Sequence, residues 1–545
     1  MSATDSVAAL RGAVEAAARA LRDGQPTEPS PTLERPPKPE LGDYSSNAAM
    51  LLAGSLGDNP RAVAERLRGQ LEADAGLAPD LERIEVAGPG FVNFFLADAW
   101  YLRALSGLLE GIDDLGTSVA DSPEKVLVEF VSANPTGPVH VGTGRHAAYG
   151  DSLVRLLEAT GHEVEREYYV NDAGSQISRF ADSIAARMRG AEPPEDGYAG
   201  AYVGEIAERL RAEGVSPDDR EELERRGVEA MLDGIRQTLE RFGVRFDTWF
   251  SERSVYAKGE VEEVLAELEK RGHTYRHEDA LWLRTTAFGD DKDRVLIRSN
   301  GEATYLTPDI AYHWDKLQRG FDRLIDVLGA DHHGYVARVR AALEALGAEP
   351  ERFEALMMSL VHFVEGGERA QMSKRSGDFV TLDELLDDIG VDATRWFMLW
   401  RSHETTVDVD LELARSQSSE NPVYYVQYAH ARIASILRKA GEGAAPAVDA
   451  VAGRPPLEGS EKVLVKRLLE FPEEVRVAAA RRAPHRICAY STAVAADFHA
   501  FYRDCQVVGA EGEGVEASRL AICLATKRTI AAALGLLGIS APERM

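Results

Sequence analysis

The segment Glu129-Phe130-Val131-Ser132-Ala133-Asn134-Pro135-Thr136-Gly137-Pro138-Val139-His140-Val141-Gly142-Thr143-Gly144-Arg145 constrains this chain more than any other. A run of buried-strand character, 126–132, feeds a Pro/Gly-rich loop. The loop delivers His140 and two glycines to the start of a helical pattern over 146–158. An α/β protein puts a phosphate at such a place, outside the carboxyl end of a strand and against unpaired N–H groups at a helix N-terminus. Gly142, Gly144, Ala147 and the later Glu165 imitate a dinucleotide fingerprint. A dinucleotide loop, however, turns straight out of its strand, whereas two prolines and a long loop separate Val131 from Gly142. That reading also leaves a second basic, glycine-ended loop unexplained: Gln371-Met372-Ser373-Lys374-Arg375-Ser376-Gly377.

In this order and at domain-scale separation, the two segments resemble the HIGH and KMSKS signatures of the class I aminoacyl-tRNA synthetases. The flanking Ser132-Ala133-Asn134-Pro135-Thr136-Gly137-Pro138 resembles the arginyl members in particular. The resemblance implies an α/β fold: a Rossmann-like parallel-sheet catalytic domain, an N-terminal α/β module and a C-terminal all-helical anticodon-binding bundle. It implies an arginine–tRNA ligase that uses ATP with Mg²⁺, L-arginine and tRNA(Arg), with no tightly bound cofactor, acting as a cytoplasmic monomer.

The 545 residues suit three or four domains, and 44% hydrophobic content is ample for packed cores. No apolar run approaches the ~18 residues of a membrane span, and the N-terminus lacks the pattern of a secretory signal. Cys488, Cys505 and Cys523 lie far apart, without metal-ligand spacing, so reduced thiols and no metal site are expected. Ninety acidic against 62 basic residues give a net charge of −28, and only eleven of the cations are lysine. That balance resembles proteins of salt-loving cytoplasms and points to a salt-adapted archaeon; an ordinary acidic protein is the alternative.

Residues 1–98 read as a separate α/β unit. It has a helix over 7–22, a second helix opening at Asp43-Tyr44-Ser45-Ser46-Asn47-Ala48, and a closing strand, Phe91-Val92-Asn93-Phe94-Phe95-Leu96. It resembles the additional N-terminal domain of the arginyl enzymes, which contacts the outer corner of tRNA. Phe91 and Asn93 match RNA-facing positions there, although Phe91 could equally pack within its own core. Over 122–385, short Val/Ile/Leu strands at 126–132, 163–170, 294–298, 323–328 and 356–362 alternate with helices, which predicts a parallel sheet. A polar helical insertion covers 181–245. From Asp392 onward the strand signal vanishes, and helical patterns at 411–440, 461–480, 484–504 and 514–537 predict a bundle over 386–545. It opens at Asp392-Ala393-Thr394-Arg395, similar to the DALR anticodon-binding domain. Most of its recurring aromatics should be core, with a few exposed to stack on anticodon bases; Tyr424, Tyr428, Phe501 and Tyr502 are the candidates.

The resemblance assigns roles residue by residue. His140 and Lys374 match the catalytic positions, and His140, Gly142, Thr143, Met372, Ser373 and Lys374 match the ATP-binding set. Thr143 stands where the family usually has a second histidine, and Gln371 replaces the first KMSKS lysine. Glu252 and Asp309 match acceptors for the guanidinium, with Tyr305 as their hydrogen-bonding wall. Glu129, Ser132, Asn134 and Thr143 match the amino-acid end of the pocket. Paired carboxylates suit this substrate, because a planar guanidinium donates in a fork that lysine cannot reproduce. Asp331-His332-His333 follows another strand, as a loop-orienting group or a metal site for which no third ligand is evident. Two rivals remain: a small-molecule adenylyltransferase, for which the helical tail is too long, and a non-catalytic RNA-binding relative, against which His140 and Lys374 are intact.

Overall fold

Val126, Leu127 and Val128 are fully buried, as a strand covered on both faces must be. In the computed structural model, which describes residues 6–26, 29–111, 120, 122–369, 380–441 and 455–545, this strand, Lys125–Glu129, is the middle of a five-stranded sheet. The order is Phe353–Met358, Arg323–Gly329, Lys125–Glu129, Glu163–Val170, Thr248–Ser251, and every pairing is parallel. The chain leaves the middle strand through the helix Val141–Ala159 toward Glu163–Val170, and later returns on the other side at Arg323–Gly329. Strand order therefore reverses beside Glu129, which is where open α/β sheets bind ligands.

The middle strand stops short of the expected 126–132. Val131 (φ 71°) and Ser132 (φ 42°) lie in the left-handed region, and the Ser132 N–H donates to the Phe130 carbonyl at 3.0 Å. A β-branched residue at positive φ persists only where its surroundings over-determine it. Phe130 is the anchor: it is fully buried against Gly150 of the following helix, where any Cβ would come within 2.2 Å of the ring.

Other expectations shift for similar tertiary reasons. Segment 294–298 forms the strand Arg294–Ile297, but in a separate antiparallel sheet with Ala280–Leu283 and Thr274–His277. The fifth strand of the parallel sheet is instead the short Thr248–Ser251. Segment 356–362 divides between Phe353–Met358 and Val361–Glu365. The latter pairs with Val407–Asp410, a strand beyond the point where strand signal was expected to vanish. In the N-terminal unit, Tyr44–Ser46 is a strand paired with Val92–Phe94, and the second helix begins only at Ala48. Three helices, Ser175–Met188, Ala201–Ala212 and Arg220–Arg241, fill the insertion.

Arg395 ties these parts together. It is fully buried and donates to Asp151 on the helix after the middle strand (2.5 Å), to the Phe242 carbonyl of the insertion (3.1 Å) and to the Leu537 carbonyl of the C-terminal helices (2.7 Å). Asp392, one turn earlier, accepts from the Ser540 N–H (3.0 Å) and from Gln427 (2.8 Å). Arg395→Leu should therefore destabilise the protein by about 3–5 kcal/mol, because an unpaired buried charge remains. Arg155 still reaches Asp151 at 2.8 Å, which favours the lower end. A urea-midpoint shift equivalent to less than about 1 kcal/mol would show that the cluster does not hold the domains together.

Candidate active site

His140 caps the helix Val141–Ala159, and its Nδ1 accepts from the Gly142 N–H at 2.9 Å. Because Nδ1 is an acceptor, the proton of the neutral ring sits on Nε2, which is then a hydrogen-bond donor. Burial lowers the His140 pKa, which favours this neutral form. The helix N-terminus is less open to anions than expected. The Val141 N–H donates to the Val380 carbonyl (3.0 Å) and the Thr143 N–H to the His140 carbonyl (2.9 Å), so the first three N–H groups are all engaged. An anion here meets the histidine rather than a bare helix terminus. Gly142 has its Cα against the His140 ring, where a Cβ would meet Nδ1 at 3.1 Å.

The second signature loop, with Gln371, Met372, Ser373, Lys374 and Arg375, lies outside the described residues. Its C-terminal flank does not. Leu382 N–H donates to the Val139 carbonyl at 2.8 Å, and His140 and Thr381 form an antiparallel bridge. Thr381 and Glu384 then make a capping box that starts the next helix. The segment around His140 is thus joined through backbone hydrogen bonds to residues 380–382, which follow the second loop in the chain.

At the same sheet edge, Glu252 follows the strand Thr248–Ser251 and Asp309 lies in the first turn of the helix Leu306–Gln318. Both carboxylates are half-buried, and among the described residues neither has a hydrogen-bond or ion-pair partner. The Asp309 pKa is raised to about 7, by burial first and then by Glu252, Glu129 and Asp326, with His313 opposing them. Burial, then Asp172, raises that of Glu252. Tyr169, Tyr256 and Tyr335 stand close enough to feel these charges. Tyr305 does not form a wall: it is 82% exposed at the mouth, on the N-cap of the helix. A desolvated pair of unpaired carboxylates is a site for a cation. If a guanidinium enters, arginine affinity should fall as pH drops below about 7, because Asp309 must lose a proton to receive it, and level off above that pH. Isothermal titration from pH 5.5 to 8 checks this; a flat profile would remove Asp309 from the cation site.

Beneath the pocket lies a cluster of which the sequence disclosed only Glu129 and Ser132. Glu129 accepts from Ser132 Oγ (2.8 Å), Tyr312 OH (2.9 Å) and Lys316 Nζ (2.6 Å). Lys316 also donates to Asp326 (3.0 Å), which His313 Nε2 meets at 2.7 Å. Arg319 grips the fully buried Glu167 with both terminal nitrogens, at 2.7 and 3.0 Å. Burial alone depresses the Lys316 pKa, but Asp326, Glu129 and Glu167 outweigh it, so the ammonium stays charged. Glu129, His313 and Asp326 converge closely enough to suggest a metal, yet the ammonium sits on both carboxylates. One signal was available: Asp309, Tyr312, Lys316 and Arg319 recur at helical spacing on one face. Asn134 is exposed and donates to Gln176 at 2.9 Å. The backbone of Ala330–His332 follows the strand Arg323–Gly329 as a single 3₁₀ turn.

The expected RNA-facing residues divide. Phe91 is 39% exposed, but Asn93 is buried and accepts from Ser45 Oγ at 2.7 Å, because its strand lies between two others. In the C-terminal bundle Phe501 is core, packed on Phe498. Tyr424 and Tyr428 stack at 6.3 Å, and Arg432, which donates to Tyr428 OH at 2.6 Å, lies 4.6 Å over the ring of Tyr502.

Sequence comparison accounts for the whole arrangement. Residues 8–96 match the family model for the arginyl tRNA synthetase N terminal domain. Residues 109–193 and 196–432 match the class I (R) tRNA synthetase catalytic domain, and 426–545 the DALR anticodon binding domain. The chain is 46% identical to an arginine–tRNA ligase of Shouchella clausii over 530 residues, 95% of each chain. The chain belongs to the arginyl-tRNA synthetase family. A second arginine–tRNA ligase of this family, from Geobacillus kaustophilus, is 45% identical over 97% of each chain. The Thermus thermophilus arginyl-tRNA synthetase structure superposes with a TM-score of 0.78 at 27% identity, covering 99% of this chain and all of that one. Both of these ligases are bacterial proteins, so family membership carries no sign of an archaeal source.

Proposed function

We propose that this protein is an arginine–tRNA ligase, and the observation that carries the reading is the unpaired Glu252–Asp309 pair beside a HIGH-type histidine. The carboxylate of arginine attacks the α-phosphate of ATP, supplied as its Mg²⁺ complex, and pyrophosphate leaves. A hydroxyl at the 3′ end of tRNA(Arg) then attacks the adenylate carbonyl and AMP leaves. Negative charge grows on the phosphate oxygens in the first step, so the protein contributes positioning and preorganised donors rather than covalent chemistry. His140 Nε2–H supplies one donor and Lys374 a cation that clamps the departing pyrophosphate. Gly142, Thr143, Met372 and Ser373 shape the ATP site. Glu252 and Asp309 receive the guanidinium with Tyr305 at the mouth, and Glu129, held by Ser132, receives the α-ammonium together with Asn134. The division 1–98, 122–385 and 386–545 assigns the tRNA corner, the chemistry and the anticodon to successive units. Phe91, the stacked Tyr424–Tyr428 pair and Tyr502 provide stacking surfaces. The protein acts as a cytoplasmic monomer; among the described residues no helix is long and apolar enough to cross a membrane. ATP–pyrophosphate exchange with each amino acid, with and without tRNA, tests the assignment: exchange driven by any amino acid other than arginine would overturn it.

We infer salt adaptation from the charge of −28 and the scarcity of lysine. Carboxylate repulsion should loosen the fold in dilute buffer, where the Debye length is ~30 Å at 0.01 M, and salt should stabilise it. Phosphate contacts weaken with salt in proportion to their number. A salt-adapted synthetase therefore relies on stacking and shape, and its tRNA affinity should have a shallow salt slope. Melting and tRNA binding between about 0.05 and 3 M KCl decide the matter. Full stability at the low end with steep loss of binding at moderate salt would mark an ordinary acidic enzyme.

A further inference from the structure

One buried cation touches the proposed amino-acid site directly. Lys316 is fully buried, and its Nζ lies 2.6 Å from Glu129 Oε2 and 3.0 Å from Asp326 Oδ1. We propose that Lys316 is a positioning residue: its ammonium fixes the Glu129 carboxylate at the strand end, ready to accept from the α-ammonium of arginine. This rests on the reading that Glu129 receives that ammonium.

The surroundings make such a cation necessary. Tyr312 OH lies 2.9 Å from Glu129 and 2.6 Å from Glu167, so one hydroxyl proton faces two buried carboxylates. Glu167 has Arg319 as its own cation, and Asp326 meets His313 Nε2 at 2.7 Å besides Lys316. Asp309 adds further negative charge nearby. Without Lys316, Glu129 Oε2 would keep only a share of the Tyr312 hydroxyl and would face Asp326 on the next strand with no cation between them. Lys316 holds that oxygen at 2.6 Å, and Ser132 Oγ holds the other at 2.8 Å while receiving the Tyr169 N–H at 3.1 Å. The helix Leu306–Gln318 thus carries Asp309 for one end of the substrate and, two turns later, the cation that orients the group for the other.

The test compares arginine with δ-guanidinovalerate, which keeps the guanidinium and carboxylate but lacks the α-ammonium. Affinities are read by calorimetry for arginine and the analogue, and by exchange kinetics for ATP. Lys316→Met should weaken arginine by about ten- to a hundredfold, the range for one charge-assisted bond, and change the analogue less than about threefold. ATP affinity should not move. Equal weakening of both ligands would show a merely structural role, and unchanged arginine affinity would remove the role altogether. Glu129→Gln separates the two readings. If it too selectively weakens arginine but Lys316→Met does not, the inference fails alone. If Glu129→Gln affects both ligands equally, or neither, the placement of the ammonium fails and the inference with it. Should Lys316→Met not fold, Lys316→Met with Asp326→Asn removes one buried cation and one buried anion together, and carries the same expectation.

Discussion

Replacing His140 by alanine should slow formation of arginyl-adenylate by about 10²–10³-fold while the affinity for ATP changes little, as for loss of one preorganised donor. The geometry gives the reason. The Gly142 N–H occupies Nδ1, so the ring presents Nε2–H as a donor without needing a positive charge. A neutral donor of fixed tautomer gains most when charge builds on a phosphate oxygen, and that gain belongs to the transition state. His140→Asn retains a cap for the helix but loses the reach of the imidazole, so it separates the two functions. If alanine and asparagine both lower the rate, capping is not the cause. A loss expressed wholly in ATP affinity would place His140 in ground-state binding instead.

The arginine pocket yields the second large effect. Asp309→Asn should raise the arginine requirement by about ten- to a hundredfold, since a charge-assisted hydrogen bond is worth about 1.5–3 kcal/mol, and should spare ATP. Glu252→Gln should do the same. The two effects should not be additive, because Glu252 raises the proton affinity of Asp309 and removing its charge lets Asp309 ionise more readily. The fall in arginine affinity at acid pH should therefore move to lower pH in Glu252→Gln and disappear in Asp309→Asn. Unchanged arginine kinetics in both variants would remove the pocket assignment.

These expectations differ in how far the chain itself discloses them. The two signature loops, the Pro/Gly loop after Val131 and the helical tail were legible because each depends on local chemistry: turn residues, periodicity and spacing. So were Glu252 and Asp309 as candidates, though only through resemblance, since a lone acidic residue in a turn is usually solvated. The strand Thr248–Ser251 was not legible as a sheet member. It is four residues long and is a strand because Glu163–Val170 offers it a partner. Asn93 and Phe501 read as RNA-facing and are buried, because the packing of neighbouring strands and helices, not their own residue type, sets their exposure.

By itself, then, the sequence determined the family and the order of the domains, because those follow from contiguous residues. Tertiary structure alone decided which charges are paired. Lys316 reads as an ordinary lysine on an amphipathic helix, and Glu129, Glu167 and Asp326 as acids in separate strands. The parallel sheet brings the three acids together on adjacent strands, and the helix Leu306–Gln318 sets its cation among them. Burial then makes an unpaired charge costly, and among the described residues the cluster is paired within itself while Glu252 and Asp309 beside it have no partner.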